Sequence, residues 1–272
     1  MDLNLQEELL KLTDDLFYRG IIESVRLSTR PDYIDEPRLA LLKAHHVKTI
    51  ELGVQSLDDK VLAKAERGHS SSCVYEACSL IKAQGFTLGV QLMVGLPLQD
   101  FLSVQSTCAE VLKIKPDLAR IYPVLVIKAT PLAKSFTKGE YEPLSLEEAV
   151  SQATYLYRKL TAAGVKVIRI GLQPDEELCE PGNILAGPFH ASMGELVKSR
   201  ALREELEEKI QALANAGAKK IILKFTPNME SKLRGKQNAN LKYLQQRFSS
   251  IYLELRKENF SGSAGSVELL VE

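Results

Sequence analysis

Thr87-Leu88-Gly89-Val90-Gln91-Leu92-Met93-Val94-Gly95-Leu96-Pro97 is the stretch on which the fold turns. Thr87 to Leu96 is apolar almost without interruption, the character of a strand buried on both faces, as in a parallel sheet covered by helices. Reading outward, the same plan recurs on either side. Ser71 and Ser72 open a helix that runs to about Gln84 and stops at Gly85. A helix from about Phe101 to Lys113 leads into a strand over Leu118 to Ile127. Upstream, Ile22 to Thr29 is a strand stopped by Pro31-Asp32, Pro37 opens a helix reaching His46, and Lys48 to Gln55 is the next strand. An amphipathic helix over Gln6 to Tyr18, closed by Gly20, precedes them. Downstream, Ser145-Leu146-Glu147-Glu148 is a capping box before a helix to Ala163, and Val165 to Ile170 is a fifth strand. Strands alternating with helices predict an α/β fold with a parallel sheet, either open and doubly wound or a full or partial (β/α) barrel. Both architectures place ligands at the C-terminal strand ends.

With 272 residues, 45% of them hydrophobic and 26% charged, the chain has the means to bury a large core, which excludes general disorder. Thirty-five basic residues balance 35 acidic ones, so no global field draws it to nucleic acid or membrane. The apolar runs are far shorter than the roughly 20 residues of a membrane span. The start, Met1-Asp2-Leu3-Asn4, has neither the basic nor the apolar character of a secretory signal, and a cytoplasmic location is expected. Gly171, Pro174, Pro181, Gly182, Gly187 and Pro188 mark a linker or functional loop, and a boundary near 190 separates residues 1–190 from a small C-terminal α+β appendage over 191–272. That appendage concentrates Lys219, Lys220, Lys224, Lys232, Arg234, Lys236, Lys242 and Arg247, with Ser231 to Asn238 reading as a basic, glycine-containing loop. Two readings stand for residues 217–247: a phosphate-contacting RNA surface, or a solvated face.

Four cysteines, Cys73, Cys78, Cys108 and Cys179, are too few and too scattered for a disulfide framework. His69, Cys73 and Cys78 have a spacing that suggests metal ligation, yet on one helix Cys78 points roughly 140° away from Cys73, so the three do not converge. Cys108 reads as core on an amphipathic helix, and the acidic neighbours of Cys179 disfavour its thiolate. His190, after Gly187-Pro188-Phe189, reads either as a turn residue or as a group at a substrate mouth. The residues alone identify no metal ligand and no catalytic pair.

Several runs in order carry a resemblance: Arg26-Leu27-Ser28-Thr29-Arg30-Pro31-Asp32-Tyr33-Ile34, Glu51-Leu52-Gly53-Val54-Gln55-Ser56, Arg67-Gly68-His69, Gly85-Phe86, Met93-Val94-Gly95-Leu96-Pro97 and Arg120-Ile121-Tyr122-Pro123-Val124-Leu125-Val126-Ile127. Over about residues 5 to 145 the chain resembles the radical S-adenosylmethionine enzymes, in the branch of the Elongator catalytic subunit and the oxygen-independent coproporphyrinogen oxidases. The resemblance implies an incomplete (β/α) barrel and a cofactor pair, S-adenosylmethionine and a 4Fe-4S cluster. In the family these generate a 5′-deoxyadenosyl radical, here on an unknown substrate for which the Elongator-type relatives suggest transfer RNA. By position it implies that Gln55 and Arg67 meet the polar parts of S-adenosylmethionine, Arg67 pairing with its carboxylate. Ser28 and Gln91 stand where the oxidases carry carboxylates, and as neutral groups they are expected to reach a ribose hydroxyl.

The segment Lys128-Ala129-Thr130-Pro131-Leu132 departs from the glycine-rich form of the Elongator subunit. No Cys-x-x-x-Cys-x-x-Cys occurs, and the family's first two βα units, with their cluster loop and Gly-Gly-Glu motif, have no counterpart. The expectation is therefore a truncated form that is inactive alone, with no cluster ligands, an exposed strand edge near Ile22 to Thr29, and a missing N-terminal half or partner chain completing it. The alternative is a non-catalytic binding or scaffold protein that holds RNA through its basic C-terminal segment.

Overall fold

Helices begin where a side chain relieves the free N–H groups of a first turn. Asp35, Asp58, Ser70, Asp100, Thr130 and Ser145 each accept a backbone N–H two or three residues on, and Ser145 completes a reciprocal box with Glu148. In the computed structural model, which describes residues 3–258 and 267–271, these caps space out a regular alternation. Its elements are α1 (Leu3–Tyr18), β1 (Val25–Thr29), α2 (Glu36–Ala44), β2 (Val47–Gln55), α3 (Asp59–Lys64), α4 (Ser71–Ala83), β3 (Thr87–Val94), α5 (Phe101–Ile114) and β4 (Leu118–Pro123). Then come β5 (Val126–Ile127), α6 (Pro131–Thr137), α7 (Leu146–Ala162), β6 (Lys166–Ile170), α8 (Glu176–Cys179) and β7 (Ile184–Ala186).

Five strands form one sheet in the order β1-β2-β3-β4-β6, every pair parallel. Each strand lies beside its predecessor and the order never reverses. A doubly wound sheet reverses its order at a switch point, so the sequential order selects the partial-barrel alternative. Ile50, Leu52, Val54, Leu88, Val90, Leu92 and Ile121 are buried. The helices bury their inner faces, including Leu39 and Leu42 of α2, Val74 and Ile81 of α4, Val104 and Val111 of α5, and Leu156 and Leu160 of α7. α1 joins through Leu10, an Asp14–His45 contact of 2.8 Å, and Phe17 stacked on His46 at 3.7 Å between ring centroids. β1 pairs with β2 alone among the described strands, so its other side is a sheet edge, as the sequence implied.

One strand expected over Leu118 to Ile127 is two. Pro123 has no N–H to continue the ladder, and the chain leaves the sheet there; Val126 and Ile127 pair instead with Ala186 and Ile184 in a two-stranded antiparallel ribbon. The Gly/Pro-rich stretch after residue 170 is thus partly ordered, through α8 and β7. The side chain of Cys179 and the segment Ser261 to Gly265 lie outside the described residues.

The chain separates into two compact units, Met1–Ala191 and Ser192–Glu272. The second holds α9 (Met193–Asn215), β8 (Lys220–Phe225), α10 (Glu230–Arg234), α11 (Ala239–Arg247), β9 (Tyr252–Lys257) and β10 (Val267–Val271). Its sheet runs β10-β8-β9, with β8 parallel to β9 and antiparallel to β10. Ile221, Leu223 and Phe225 on one face of β8 pack with Leu206, Ile210, Leu233 and Leu244. The expected basic loop over Ser231 to Asn238 is largely helical, because Leu233 is drawn into that core. Buried Asn240 fastens the turn by donating to the Ser199 and Lys232 carbonyls at 3.1 and 2.9 Å. Lys220, Lys224, Arg234 and Arg247 are tied to Glu254, Glu258, Glu230 and Glu207, whereas Lys219, Lys232, Lys236 and Lys242 form no ion pair among the described residues.

Leu98, in the loop between β3 and α5, sits at φ +63° with 70% of its surface exposed. A left-handed backbone costs an L-residue about 1–2 kcal/mol, and glycine there gives back about 0.5–1 kcal/mol in unfolded-state entropy. Leu98→Gly is expected to raise stability by about 0.5–1 kcal/mol in urea unfolding. A lowered midpoint would show that the leucine side chain contributes packing that outweighs the strain.

Candidate functional site

The inner face of the first unit's sheet is polar, and two glycines permit it. A Cβ on Gly89 would lie 2.7 Å from Glu51 Cγ, and a Cβ on Gly53 would lie 2.8 Å from Gln55 Nε2. With no side chain at these two places, their neighbours lie flat across the strands. Glu51, whose side chain is only 2% exposed, is held from both sides: Arg120 Nη2 donates to Oε1 at 2.9 Å, Arg120 Nε lies 2.6 Å from Oε2, and Arg26 Nε lies 3.2 Å from Oε1. Arg120 also donates through Nη1 to Tyr122 Oη at 3.2 Å. Burial opposes the charge of Arg120, but its bonds to Tyr122 and Glu51 outweigh burial and raise its pKa.

The sequence-derived residues gather at the C-terminal end of this face. Gln55 ends β2 at φ +65°, a left-handed backbone for a non-glycine residue; it is buried, and its amide folds back over Gly53. Arg67 Nη2 comes within 3.7 Å of the same Gly53 position. Gln91 on β3 donates to Ser28 Oγ on β1 at 3.1 Å, so the two neutral residues form a bridge over β2. Gln55, Arg67 and Gln91 line a cavity of about 750 Å³, within the size range of small-molecule sites; Ser28 reaches it through Gln91. Met93, Leu96, Tyr122 and Tyr141 line it as well. Tyr141 donates its hydroxyl to the Gly95 carbonyl at 2.6 Å, and burial pushes its pKa up to about 12.

Arg67 stands out electrostatically. It is half-buried, its Nε is buried without a hydrogen-bond partner, and it makes no ion pair among the described residues. Burial lowers its pKa and nearby Arg30 adds to that, with Asp32 offsetting part. The loop that carries it is clamped: Arg30 donates to both Asp32 carboxylate oxygens at 2.9 and 2.8 Å, and its Nη2 reaches the Gly68 carbonyl at 3.4 Å. Gly68 sits at φ +73°, a backbone that favours glycine, and a Cβ there would lie 2.7 Å from Arg30 Nη2, so the guanidinium would have to shift. An unpaired guanidinium beside a cradle without a side chain suits a carboxylate-bearing ligand.

A 4Fe-4S cluster does not fit these residues. It needs convergent thiolates, and no group of three or more His, Cys, Asp or Glu side chains able to hold a metal occurs among the described residues. His69 precedes α4 while Cys73 and Cys78 lie on it, and burial raises the Cys78 and Cys108 thiols to about 12 and about 11. His190 forms an interaction of its own and does not line the cavity. Among the described residues no helix is long and apolar enough to cross a membrane.

Glu51, Tyr122 and Tyr141 were not recognisable as site residues from the sequence. Glu51 left a trace, a lone carboxylate between Ile50 and Leu52, and Tyr122 lies within one of the runs that carry the resemblance without standing out in it, whereas Tyr141 gave no signal apart from the fold.

Comparison with known proteins identifies the family and the fold. Residues 1–108 match the Radical SAM superfamily and residues 116–203 the Radical_SAM C-terminal domain. Among curated relatives, the tRNA uridine(34) acetyltransferase of Methanocaldococcus jannaschii is 31% identical over 158 residues, 57% of this chain and 29% of that protein. Elongator complex protein 3 of Homo sapiens is 29% identical over 159 residues, 54% of this chain and 29% of that protein. The solved structure of the archaeal Methanocaldococcus infernus Elp3 with an N-terminal deletion superposes with a TM-score of 0.61 at 30% identity, covering 67% of this chain and 42% of that one. The chain thus spans less than a third of the length of these two curated relatives. By its sequence and by its sequentially ordered parallel sheet, the chain belongs to the radical S-adenosylmethionine superfamily.

Proposed function

We propose that the first unit binds S-adenosylmethionine in its cavity, as the cofactor-holding part of an Elongator-like radical enzyme that acts on transfer RNA. The observation that carries this reading is Arg67, a half-buried guanidinium with no partner of its own at the wall of a cavity of about 750 Å³. Arg67 pairs with the cofactor carboxylate, Gln55 presents its amide over Gly53, and the Gln91–Ser28 bridge offers hydrogen bonds to a ribose hydroxyl. Arg30 and Asp32 hold the Arg67 loop in place, and the apolar wall of Met93 and Leu96 excludes water. When bound and reductively cleaved, the cofactor supplies a 5′-deoxyadenosyl radical. The chain's residues do not supply the electron-donating cluster, so in this reading its ligands come from another chain or segment and the chain alone does not cleave the cofactor. Support for the tRNA substrate comes from the named activity of the archaeal relative.

A second reading concerns the second unit. Lys219, Lys232, Lys236 and Lys242 lack ion pairs among the described residues, which leaves four cations available to an RNA backbone, whether in an enzyme or in a non-catalytic binding protein.

Isothermal calorimetry with S-adenosylmethionine tests the first reading. Arg67→Ala is expected to weaken binding by about tenfold or more, the scale of a charge-assisted hydrogen bond, and Arg30→Ala by about threefold through the loosened loop. Equal affinity of Arg67→Ala and the unsubstituted protein would remove Arg67 from the site. For the second reading, replacing Lys232, Lys236 and Lys242 by alanine should flatten the salt dependence of anticodon stem-loop binding by up to about one unit of slope per lysine. An unchanged slope would return these lysines to the solvated surface.

A further inference from the structure

We propose that Tyr122 selects the nucleobase of the S-adenosyl group by donating its hydroxyl hydrogen to an unprotonated ring nitrogen, with Arg120 and Glu51 as positioning residues that fix the direction of that hydrogen. This inference rests on the reading that the cavity holds an S-adenosyl ligand.

The hydrogen-bond inventory fixes the direction. A guanidinium has donors only, so in the 3.2 Å contact between Arg120 Nη1 and Tyr122 Oη the tyrosine oxygen must accept. Its own hydrogen is then left for another acceptor. None is found among the described residues, and Tyr122 lines the cavity. Arg120 has little freedom to turn away, because its Nε and Nη2 lie 2.6 and 2.9 Å from the two carboxylate oxygens of Glu51. Glu51 is fixed in turn: its side chain is 2% exposed, lies across Gly89, and is also met by Arg26. The hydroxyl is therefore oriented before any ligand arrives, the arrangement in which a single donor discriminates best.

Strand order says which part of the ligand it meets. Arg67 follows β2 and Gln91 lies on β3; Tyr122 lies on β4, opposite Met93 of β3. Neighbouring strands are about 4.8 Å apart. A ligand anchored by its carboxylate at Arg67, with its ribose at Gln91, extends its base towards β4. Met93, Leu96, Pro97, Val124 and Leu125 make that part of the wall apolar, suited to the faces of a flat ring, and Tyr122 supplies an edge contact. The acceptors on an adenine edge are its ring nitrogens, since its exocyclic amine donates.

The test uses 5′-methylthioadenosine and its 1-deaza, 3-deaza and 7-deaza analogues, titrated into the full chain and into Tyr122→Phe. Tyr122→Phe is expected to bind 5′-methylthioadenosine about fivefold more weakly. One deaza analogue should bind the unsubstituted protein weakly by a similar factor, yet bind both proteins equally, the signature of a single shared hydrogen bond. Glu51→Gln should reproduce the weakened binding of the parent compound while leaving that one analogue unaffected, a pattern that a general loss of folding would not give. If Glu51→Gln does not fold, the comparison of Tyr122→Phe with the analogues still decides. Equal binding of 5′-methylthioadenosine by both proteins, or discrimination among the analogues that Tyr122→Phe leaves unchanged, overturns the role of Tyr122 alone. If the unsubstituted protein binds neither 5′-methylthioadenosine nor S-adenosylmethionine, the cavity reading fails and takes this inference with it.

Discussion

Glu51 sits at the centre of a sheet face with almost none of its surface in water, and a carboxylate so placed is tolerable only when its oxygens are paired. The pairing reaches across the sheet. Arg26 comes from β1 and Arg120 from β4, so one buried charge links the first strand to the fourth through the second. Because β3 lies between Glu51 and Arg120, the link requires a residue without a side chain on β3, and Gly89 provides it. The polar inner face, the open space above it and the fixed hydroxyl of Tyr122 all depend on this arrangement. An all-apolar inner face would have packed shut, as the interiors of filled barrels do.

Much of the architecture could be read from residue patterns, since the signals were local. The capping box at Ser145, the nearly continuous apolar run over Thr87 to Leu96, and the glycines closing helices each act within a turn or a strand; the cap of α4 is Ser70, one residue before the Ser71 and Ser72 that the sequence suggested. The choice between a doubly wound sheet and a partial barrel was not local. It depends on which strands pair, and only the resemblance favoured one before the sequential order was seen. The split at Pro123 was available in principle, because proline cannot supply a ladder hydrogen bond, but the apolar run continues past it and masks the break. In the second unit the helix at Glu230–Arg234 was hidden because a five-residue helix has little periodicity of its own and forms by burying Leu233.

The site was legible to the extent that it followed a family-like motif. Gln55, Arg67 and Gln91 meet at one cavity although 12 positions and more separate them in the chain, and Ser28 joins through its bond to Gln91. What the motif did not convey was the reason for each geometry: the left-handed backbone that turns the Gln55 amide back over Gly53, and the Arg30–Asp32 pair that clamps the Arg67 loop. Tyr141 belongs to the same class, since its bond to the Gly95 carbonyl joins a segment after α6 to the end of β3. Contacts between distant segments carry no periodic signature, and the side chains that make them look like ordinary surface residues until the strands are placed.

The unreversed strand order also bears on how the chain is built. In a sheet laid down β1-β2-β3-β4-β6, each strand pairs with the strand of that sheet made before it, across one helix at β1–β2 and β3–β4 and across two at β2–β3 and β4–β6. No strand must wait for a distant piece of chain, so the loop-closure cost of each pairing is modest for a parallel sheet. Synthesis on a ribosome delivers the strands in the same order, from one edge of the sheet to the other. Among the described strands, the growing edge is then always the newest one, and each new strand meets a template already paired on its other side from β3 onward.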